Sequence, residues 1–317
     1  MHGDATIQPT APAQPAAEAP IDRLRRRLGE VINGKGQLDA VASGDLRLRT
    51  RAVREVALTP TNHRSAGHAP TAAAVTGDAA AAAQAHRPGA APHAEHWAYE
   101  GKTGPQSWGR LKAEFATCGG GQRQSPIDIR DGIGLELEPL QFDYGSGSFA
   151  VIDNGHTVQV NVPPGNSLEV MGRKYELLQF HFHRPSEEHI DGRRFELSVH
   201  LVHKDAQGRL AVLAVLLERG AAQPLLQTVW NHLPLEKGEE VPVRAQIDLS
   251  QLLPEDRRYF AYMGSLTTPP CSEGVLWMVM QQPVPLSQRQ IDIFARLYPM
   301  SARPIQQAAG RLIKQSN

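Results

Sequence analysis

A strictly alternating run, Leu-Gln-Phe-His-Phe-His at residues 178–183, constrains the fold more than any other feature of this chain. Side chains along a β-strand point to opposite faces in turn, so His181 and His183 share one face and the apolar residues share the other. A second alternating run spans 195–203 and carries His200. The period of two in both runs predicts two neighbouring β-strands rather than helices.

Pairing of these strands through a turn near Asp191-Gly192 would bring three imidazoles to one point. Three neutral nitrogen ligands with one open position are the arrangement of a catalytic zinc, whereas a structural zinc has four protein ligands. The sequence therefore predicts a Zn²⁺ site held by His181, His183 and His200. His203 falls on the opposite strand face and is excluded. A histidine pair on an isolated strand is more often two polar residues facing water, so the metal site depends on the motifs described below.

Charge and composition bound the class of protein. The chain has 33 Lys+Arg and 33 Asp+Glu, so no bulk charge points to nucleic acid as a partner. No run of about 18 apolar residues is present, so we expect no transmembrane helix. Residues 1–94 are rich in Ala and Pro and are expected to be mostly disordered, apart from a marginal helical stripe at 21–32. The apolar residues concentrate after Trp97, which predicts one folded domain at 95–317.

Other periodic segments predict three strands and two helices, at 156–162, 210–217, 275–280, 224–233 and from Ser287 onward. The second and third strands are continuous apolar runs, typical of strands buried on both faces. The last helix opens with a capping box formed by Ser287 and Gln290. Its Ile291, Phe294 and Leu297 follow at core spacing.

Seven motifs occur in the order of a known family: His-Trp-Ala-Tyr at 96–99, Gln124–Ile129, Asn154-Gly155-His156, 179–187, 199–203, 264–274 and 302–306. Over about residues 95–310 the chain resembles the α-class carbonic anhydrases of bacterial type. The resemblance implies a mainly β, single domain with a large twisted, mostly antiparallel sheet of about ten strands and a few short peripheral helices. It also implies zinc-dependent, reversible hydration of CO2 to bicarbonate and a proton, by attack of zinc-bound hydroxide.

Catalytic roles come from the same resemblance. The Thr267 hydroxyl would accept a hydrogen bond from the zinc-bound hydroxide and donate one to a buried Glu187. Glu187, rather than its neighbour Glu188, keeps the family spacing of thirteen residues before His200. His156 occupies the position of the proton shuttle. Outside this context the same residues would be read as a loop threonine, a solvated glutamate and an exposed histidine.

Partners of the metal ligands are only partly readable. Gln179 lies on the strand face of His181 and, by motif position, accepts its second N–H. Many family members have a glutamate two residues before the third ligand, but this chain has Ser198 two residues before His200. A hydroxyl is a weaker acceptor than a carboxylate, and Glu196 is one pleat further away. The sequence leaves open how this departure affects zinc affinity or the pKa of the bound water.

The substrate wall is also assigned by resemblance. The residues expected to face CO2 are Val202, Val212, Leu266, Trp277, Thr267 and Thr268. A small apolar substrate favours an apolar wall, although these apolar residues would serve equally well in a core.

The two cysteines bear on the compartment. In bacterial members of the family the matching cysteines form a disulfide, so the resemblance implies a Cys118–Cys271 bridge that braces the loop carrying Thr267 and Thr268. Disulfides persist in oxidising compartments, which favours a periplasmic or secreted protein. Met1–Pro20 has neither the basic start nor the apolar core of a signal peptide. Two free thiols in a cytosolic enzyme are the alternative.

Two further function classes stay open. A zinc hydroxide can attack activated esters, and the family contains non-enzymatic members that lost metal ligands. The three histidines together with Thr267 and Glu187 favour an enzyme. Family analogy also favours a homodimer.

Overall fold

The structure, a computed structural model, describes residues 96–317. The expectations for 1–94, including the stripe at 21–32, fall outside the described residues. Within the described range no helix is both long and apolar enough to span a bilayer.

Strands dominate the described part of the chain. They are β1 (Asp128–Ile129), β2 (Ile133–Leu135), β3 (Gln141–Asp143), β4 (Ser146–Asp153), β5 (Val158–Asn161), β6 (Ser167–Val170), β7 (Arg173–His183), β8 (His189–Ile190), β9 (Leu197–Lys204), β10 (Leu210–Arg219), β11 (Glu240–Asp248), β12 (Tyr259–Ser265), β13 (Glu273–Met280), β14 (Val284–Leu286) and β15 (Lys314–Ser316). The helices are short: α1 (Trp108–Leu111), α2 (Thr117–Gly120), α3 (Pro224–Trp230), α4 (Gln288–Leu297) and three 3₁₀ turns at Gly101–Thr103, Ala113–Phe115 and Leu249–Leu252.

One 13-stranded sheet organises the domain. Its main path runs β11-β4-β5-β7-β9-β10-β13-β12-β15-β2, and β3, β6 and β14 pair off this path. Most neighbours are antiparallel, while β10–β13, β10–β14 and β15–β2 are parallel. A small separate sheet pairs β1 with β8. The mainly β class, the large and mostly antiparallel sheet and the few short helices are therefore confirmed.

The middle of the sheet is buried on both faces. The predicted strands at 210–217 and 275–280 are confirmed as β10 and β13, which pair in parallel. Apolar side chains on one face of β7 and β9, including Phe180 and Phe182, join the larger core cluster together with α3 and α4. Burying each of these rings contributes about 1.5–3 kcal/mol. Val202, Val212 and Trp277 belong to the smaller cluster on the other face.

Both predicted longer helices form. In α3 the Gln223 side chain accepts hydrogen bonds from the first backbone N–H groups, and the helix ends at Trp230, before the predicted limit of 233. In α4 the Ser287–Gln290 capping box is present, and Ile291 and Phe294 are buried. The expectation that Leu297 is a core residue was wrong, because its side chain is 40% exposed. Two successive steps of three residues turn a side chain about 120° away from the first one on a helix.

The turn before β5 differs from the predicted strand at 156–162. The Asn154 side chain accepts hydrogen bonds from the backbone N–H groups of His156 and Thr157. Such an Asn-centred turn holds the chain out of the strand ladder. Strand β5 therefore starts only at Val158, and His156 sits in the β4–β5 turn.

The connection from β7 to β9 is longer than a simple hairpin. Asp191 and Gly192 both have positive φ (51° and 77°) and close a bridge between Ile190 and Arg193. The predicted tight turn is thus present. It belongs to a side excursion that contains β8, which packs against β1 instead of extending β7 or β9.

Candidate metal centre

Three histidine rings meet on one face of the sheet. Strands β7 and β9 pair antiparallel with His181 directly opposite His200. The ring centroids of His181 and His183 are 4.9 Å apart, and that of His200 lies 5.6 Å and 4.5 Å from them. One nitrogen from each ring lies within 4.8 Å of the other two. The alternation of side chains and the register of the strands therefore bring together the three residues that the sequence singled out.

Each ring donates one N–H to a fixed acceptor: His181 Nδ1 to Gln179 Oε1 (2.9 Å), His183 Nδ1 to the Ser301 backbone oxygen (2.7 Å) and His200 Nε2 to Glu188 Oε2 (3.0 Å). A neutral imidazole carries a single N–H, so each bond leaves the other nitrogen as a lone-pair donor. The lone pairs are then on Nε2 of His181, Nε2 of His183 and Nδ1 of His200. This is the outer-sphere pattern that orients histidine ligands on a metal.

Burial affects the protonation of these rings. It lowers the pKa of His181 to about 3 and that of His183 well below the usual range, with the neighbouring rings adding to the effect. For His200, burial acts to lower the pKa, but the carboxylates of Glu188 and Glu187 outweigh it, so the pKa is raised. The carboxylates of Glu188 and Glu187 thus account for the different pKa shift of His200, with Glu188 contributing more.

The donor set fits a zinc ion. Nε2 of His183 is buried and has no hydrogen-bond partner among residues 96–317, which is costly unless the atom binds something. Imidazole nitrogens are favoured ligands of Zn²⁺. A second cluster of possible ligands combines Glu187, Glu188 and His200, all buried. In that cluster Glu188 already accepts from His200, and Glu187 already accepts from the Arg303 backbone N–H (2.7 Å), so the three-histidine set fits better.

Glu187 and Thr267 lie together beside the rings, and both are buried. Burial raises the pKa of Glu187 to about 7, against the opposing effects of His200 and of hydrogen bonds from the Arg303 backbone and the Thr267 side chain. Glu187 Oε1 is also 3.5 Å from His183 Nδ1. The two residues predicted to act as a pair are therefore neighbours.

A cleft of about 250 Å³ opens over the rings. It is lined by all six residues predicted to face the substrate, namely Val202, Val212, Leu266, Trp277, Thr267 and Thr268. Val212 on β10 lies opposite both Val202 and Trp277, which makes a continuous apolar wall. A larger cleft of about 480 Å³, bordered by Met263 and Arg311, contains no histidine. The candidate site is therefore the smaller cleft, because it contains the three histidines.

His156 lies at the rim of the histidine cleft. Its ring stacks on Trp97, with centroids 3.6 Å apart and planes at 7°, and on His96 at 4.8 Å. The sequence indicated His96 and Trp97 only as part of a family motif. Their packing against His156 joins residues far apart in the chain, which local patterns do not predict.

Cys118 and Cys271 form a disulfide. The bridge links α2 to the segment after Thr267 and Thr268, and the Cys271 backbone N–H donates to the Thr268 carbonyl at 2.9 Å. Within residues 96–317 there is no free cysteine. The disulfide expected from the resemblance is confirmed, and the alternative of two free thiols was wrong.

Three contributors to the site were not identified from the sequence. Glu188 was set aside in favour of Glu187, although the adjacent glutamates were the available signal. The Arg303 backbone N–H lies in the family motif at 302–306, and the Ser301 carbonyl lies just before it. Both are backbone groups, which every residue type has, so the sequence does not reveal their contacts.

A large mixed sheet that presents three imidazoles at the base of a cleft defines a candidate mononuclear metal centre, and three protein ligands are the usual number in catalytic zinc sites. The sequence profile of the eukaryotic-type carbonic anhydrases matches residues 103–317, and the chain belongs to this family. The activity that the family supports is the hydration of CO2.

Individual relatives agree with this family. The carbonic anhydrase of Pectobacterium carotovorum is 45% identical over 219 residues, which cover 69% of this chain and 90% of that protein. A hyperthermostable carbonic anhydrase from an active hydrothermal vent chimney has a TM-score of 0.68 at 43% identity and matches 70% of this chain and 100% of its own. The α-carbonic anhydrase of Thermovibrio ammonificans, solved with the inhibitor sulfanilamide, has a TM-score of 0.68 at 40% identity, covering 69% and 98%.

Proposed function

We propose that this protein hydrates CO2 reversibly to bicarbonate and a proton at a zinc ion held by His181, His183 and His200. The observation that carries the proposal is the convergence of three imidazole nitrogens within 4.8 Å, each ring being fixed by a hydrogen bond from its other nitrogen. When bound, Zn²⁺ supplies a hydroxide nucleophile at neutral pH by lowering the pKa of water to about 7, the value known for carbonic anhydrase.

Thr267 and Glu187 orient the reacting partner. The Thr267 hydroxyl donates a hydrogen bond to the Glu187 carboxylate. The lone pairs of the Thr267 oxygen are then directed into the cleft. A hydroxyl so placed accepts a hydrogen bond from the nucleophile and rejects ligands that have no hydrogen to donate. The bonds from Thr267 and from the Arg303 backbone favour the ionised form of Glu187 against the cost of burial.

The apolar wall receives the substrate. The wall offers no hydrogen bond to CO2. Three of its side chains, Val202, Val212 and Leu266, are purely apolar. The indole N–H of Trp277 already donates to the Ser265 carbonyl at 3.0 Å. A weakly binding apolar surface next to Thr267 suits a small apolar substrate and a charged product that leaves to water.

His156 takes the proton at the rim. Histidine is the side chain whose charge changes near neutral pH, so an imidazole can accept a proton and release it again under these conditions. Stacking on Trp97 holds the ring between the cleft and solvent. The imidazole is thereby suited to accept a proton from inside the cleft and to release it to buffer.

The compartment and the assembly are further parts of the proposal. The Cys118–Cys271 bridge is compatible with a periplasmic or extracellular protein, and we favour one of these compartments. Residues 95–317 would form the catalytic domain and 1–94 an extension. Homodimer formation stays a prediction, which sedimentation equilibrium of the full chain would test.

The decisive experiment measures zinc content and CO2 hydration on the same preparations. Wild-type protein should carry one zinc per chain and hydrate CO2, and the His200→Ala variant should lose both. His189→Ala is the matched control, because His189 lies in β8, outside the histidine cluster. Zinc-free wild-type protein that cannot be reconstituted, or full activity in His200→Ala, would refute the proposal. Sulfanilamide, bound by the Thermovibrio relative, should inhibit the wild type.

A further inference from the structure

The acceptor for His200 does not come from the strand that carries His200. Ser198, two residues earlier on β9, has its hydroxyl 3.4 Å from His200 Nε2. The Glu188 carboxylate reaches the same nitrogen at 3.0 Å from the β7–β9 connection. A charged acceptor at the shorter distance forms the stronger bond, since charge-assisted hydrogen bonds are about twice as strong as neutral ones.

Glu188 is held in place by its surroundings. Its side chain is fully buried, and its carbonyl accepts a hydrogen bond from the Ser186 hydroxyl at 3.0 Å. The same Ser186 hydroxyl accepts from the Phe195 backbone N–H at 2.9 Å, which ties the two ends of the excursion together. The next residue, His189, begins β8 and pairs with β1. Glu188 therefore approaches His200 from a fixed backbone.

The carboxylate has little other use at this position. Its second oxygen, Oε1, is buried and has no hydrogen-bond partner in the described part of the chain. A buried carboxylate is costly unless it is paired. The hydrogen bond from His200 Nε2 offsets part of the cost of burying the Glu188 carboxylate.

We propose that Glu188 is a positioning residue for the metal centre, acting through the ring of His200. By accepting the Nε2 hydrogen of His200, it leaves the lone pair on Nδ1, directed at His181 and His183. The proposal rests on the zinc site proposed above. The carboxylate that orients His200 thus comes from the β7–β9 connection and not from the strand that carries the ligand.

The small side chain at position 198 is compatible with the role of Glu188 as the acceptor for His200. Ser198 is fully buried on β9, between His183 on β7 and Leu216 on β10. A glutamate here in addition to Glu188 would direct two buried negative charges at one N–H group. Like charges in a low-dielectric interior disfavour each other strongly, so a serine at 198 is compatible with Glu188 whereas a second carboxylate is not.

Zinc affinity of four variants tests the proposal, measured by competition with a chelator on zinc-depleted protein. Glu188→Ala should weaken zinc binding about 10- to 100-fold, the usual effect of removing an acceptor behind a metal ligand. Glu188→Gln keeps shape and an acceptor oxygen and should weaken it less. Ser198→Ala, the matched control, should bind like the wild type. The double variant Glu188→Ala, Ser198→Glu should recover most of the affinity.

Circular dichroism of each metal-free variant separates folding from binding. If Glu188→Ala does not fold, the isosteric Gln variant and the double variant decide the matter. Wild-type affinity in both Glu188→Ala and Glu188→Gln, or equal losses in Ser198→Ala and Glu188→Ala, would overturn the proposal. Failure of the proposed zinc site is distinguishable, because the wild type itself would then bind no zinc. Zinc binding by the wild type without CO2 hydration would leave the role of Glu188 standing.

Discussion

Removing the disulfide should destabilise the domain strongly. The bridge joins residues 153 positions apart, Cys118 and Cys271. In the chain-entropy description, closing a loop of that length stabilises the folded state by about 5 kcal/mol, and measured effects are usually smaller. Both cysteines also pack in a small cluster with Trp108 and Phe115, so replacement by alanine loses buried contact as well. We expect the Cys118→Ala, Cys271→Ala variant to lose about 3–5 kcal/mol of unfolding free energy.

Guanidinium chloride unfolding under non-reducing conditions, followed by circular dichroism and tryptophan fluorescence, measures this loss. Each single variant should lose nearly as much as the double variant, because either substitution breaks the same bond. Wild-type protein in excess reductant should unfold close to the variants, while the double variant should not respond to reductant. A loss below about 1 kcal/mol, or a response of the double variant to reductant, would show that the bridge does not restrain the unfolded chain in the way argued.

Four other outcomes are expected. Thr267→Val should keep zinc but lower kcat about 100- to 1000-fold in stopped-flow CO2 hydration, as for loss of one oriented polar group; unchanged kcat would exclude its role. His156→Ala should slow turnover in weak buffer and regain it with added imidazole, and equal rates in weak buffer would remove the shuttle. Burial lowers the pKa of His203 to about 4, below the unfolded value of about 6.5, so the unfolded state binds more protons between these values. Unfolding free energy should then fall by about 3 kcal/mol as pH drops through that window, and less in His203→Gln; parallel profiles would contradict this. Deleting residues 1–90 should leave turnover intact, and a large fall in activity at equal folding would contradict the reading of 1–94 as an extension.

Local periodicity carried much of the prediction. An alternation with period two determines which face of a strand each side chain occupies, so the convergence of His181, His183 and His200 needed only the pairing of two strands. Continuous apolar runs and a capping box likewise depend on neighbouring residues. These features survive in the fold because they are properties of the chain within a few residues.

The contacts that the sequence did not predict join residues from different elements of the fold. The carbonyl that orients His183 belongs to Ser301, 118 residues away, and backbone atoms are the same for every residue type. Glu188 and His200 are 12 residues apart, and only the fold of the β7–β9 connection brings them together. Leu297 matched a helical spacing but lies on the exposed side of the last turn, since a stripe of three-residue steps drifts around the axis.

The aromatic stack at the rim also bears on access to the cleft. His96 opens the described part of the chain, lines the cleft and packs near His156. The first residue that the structure describes therefore borders the entrance of the cleft. A chemical group attached at His96 would therefore lie beside the cleft that leads to the three histidines.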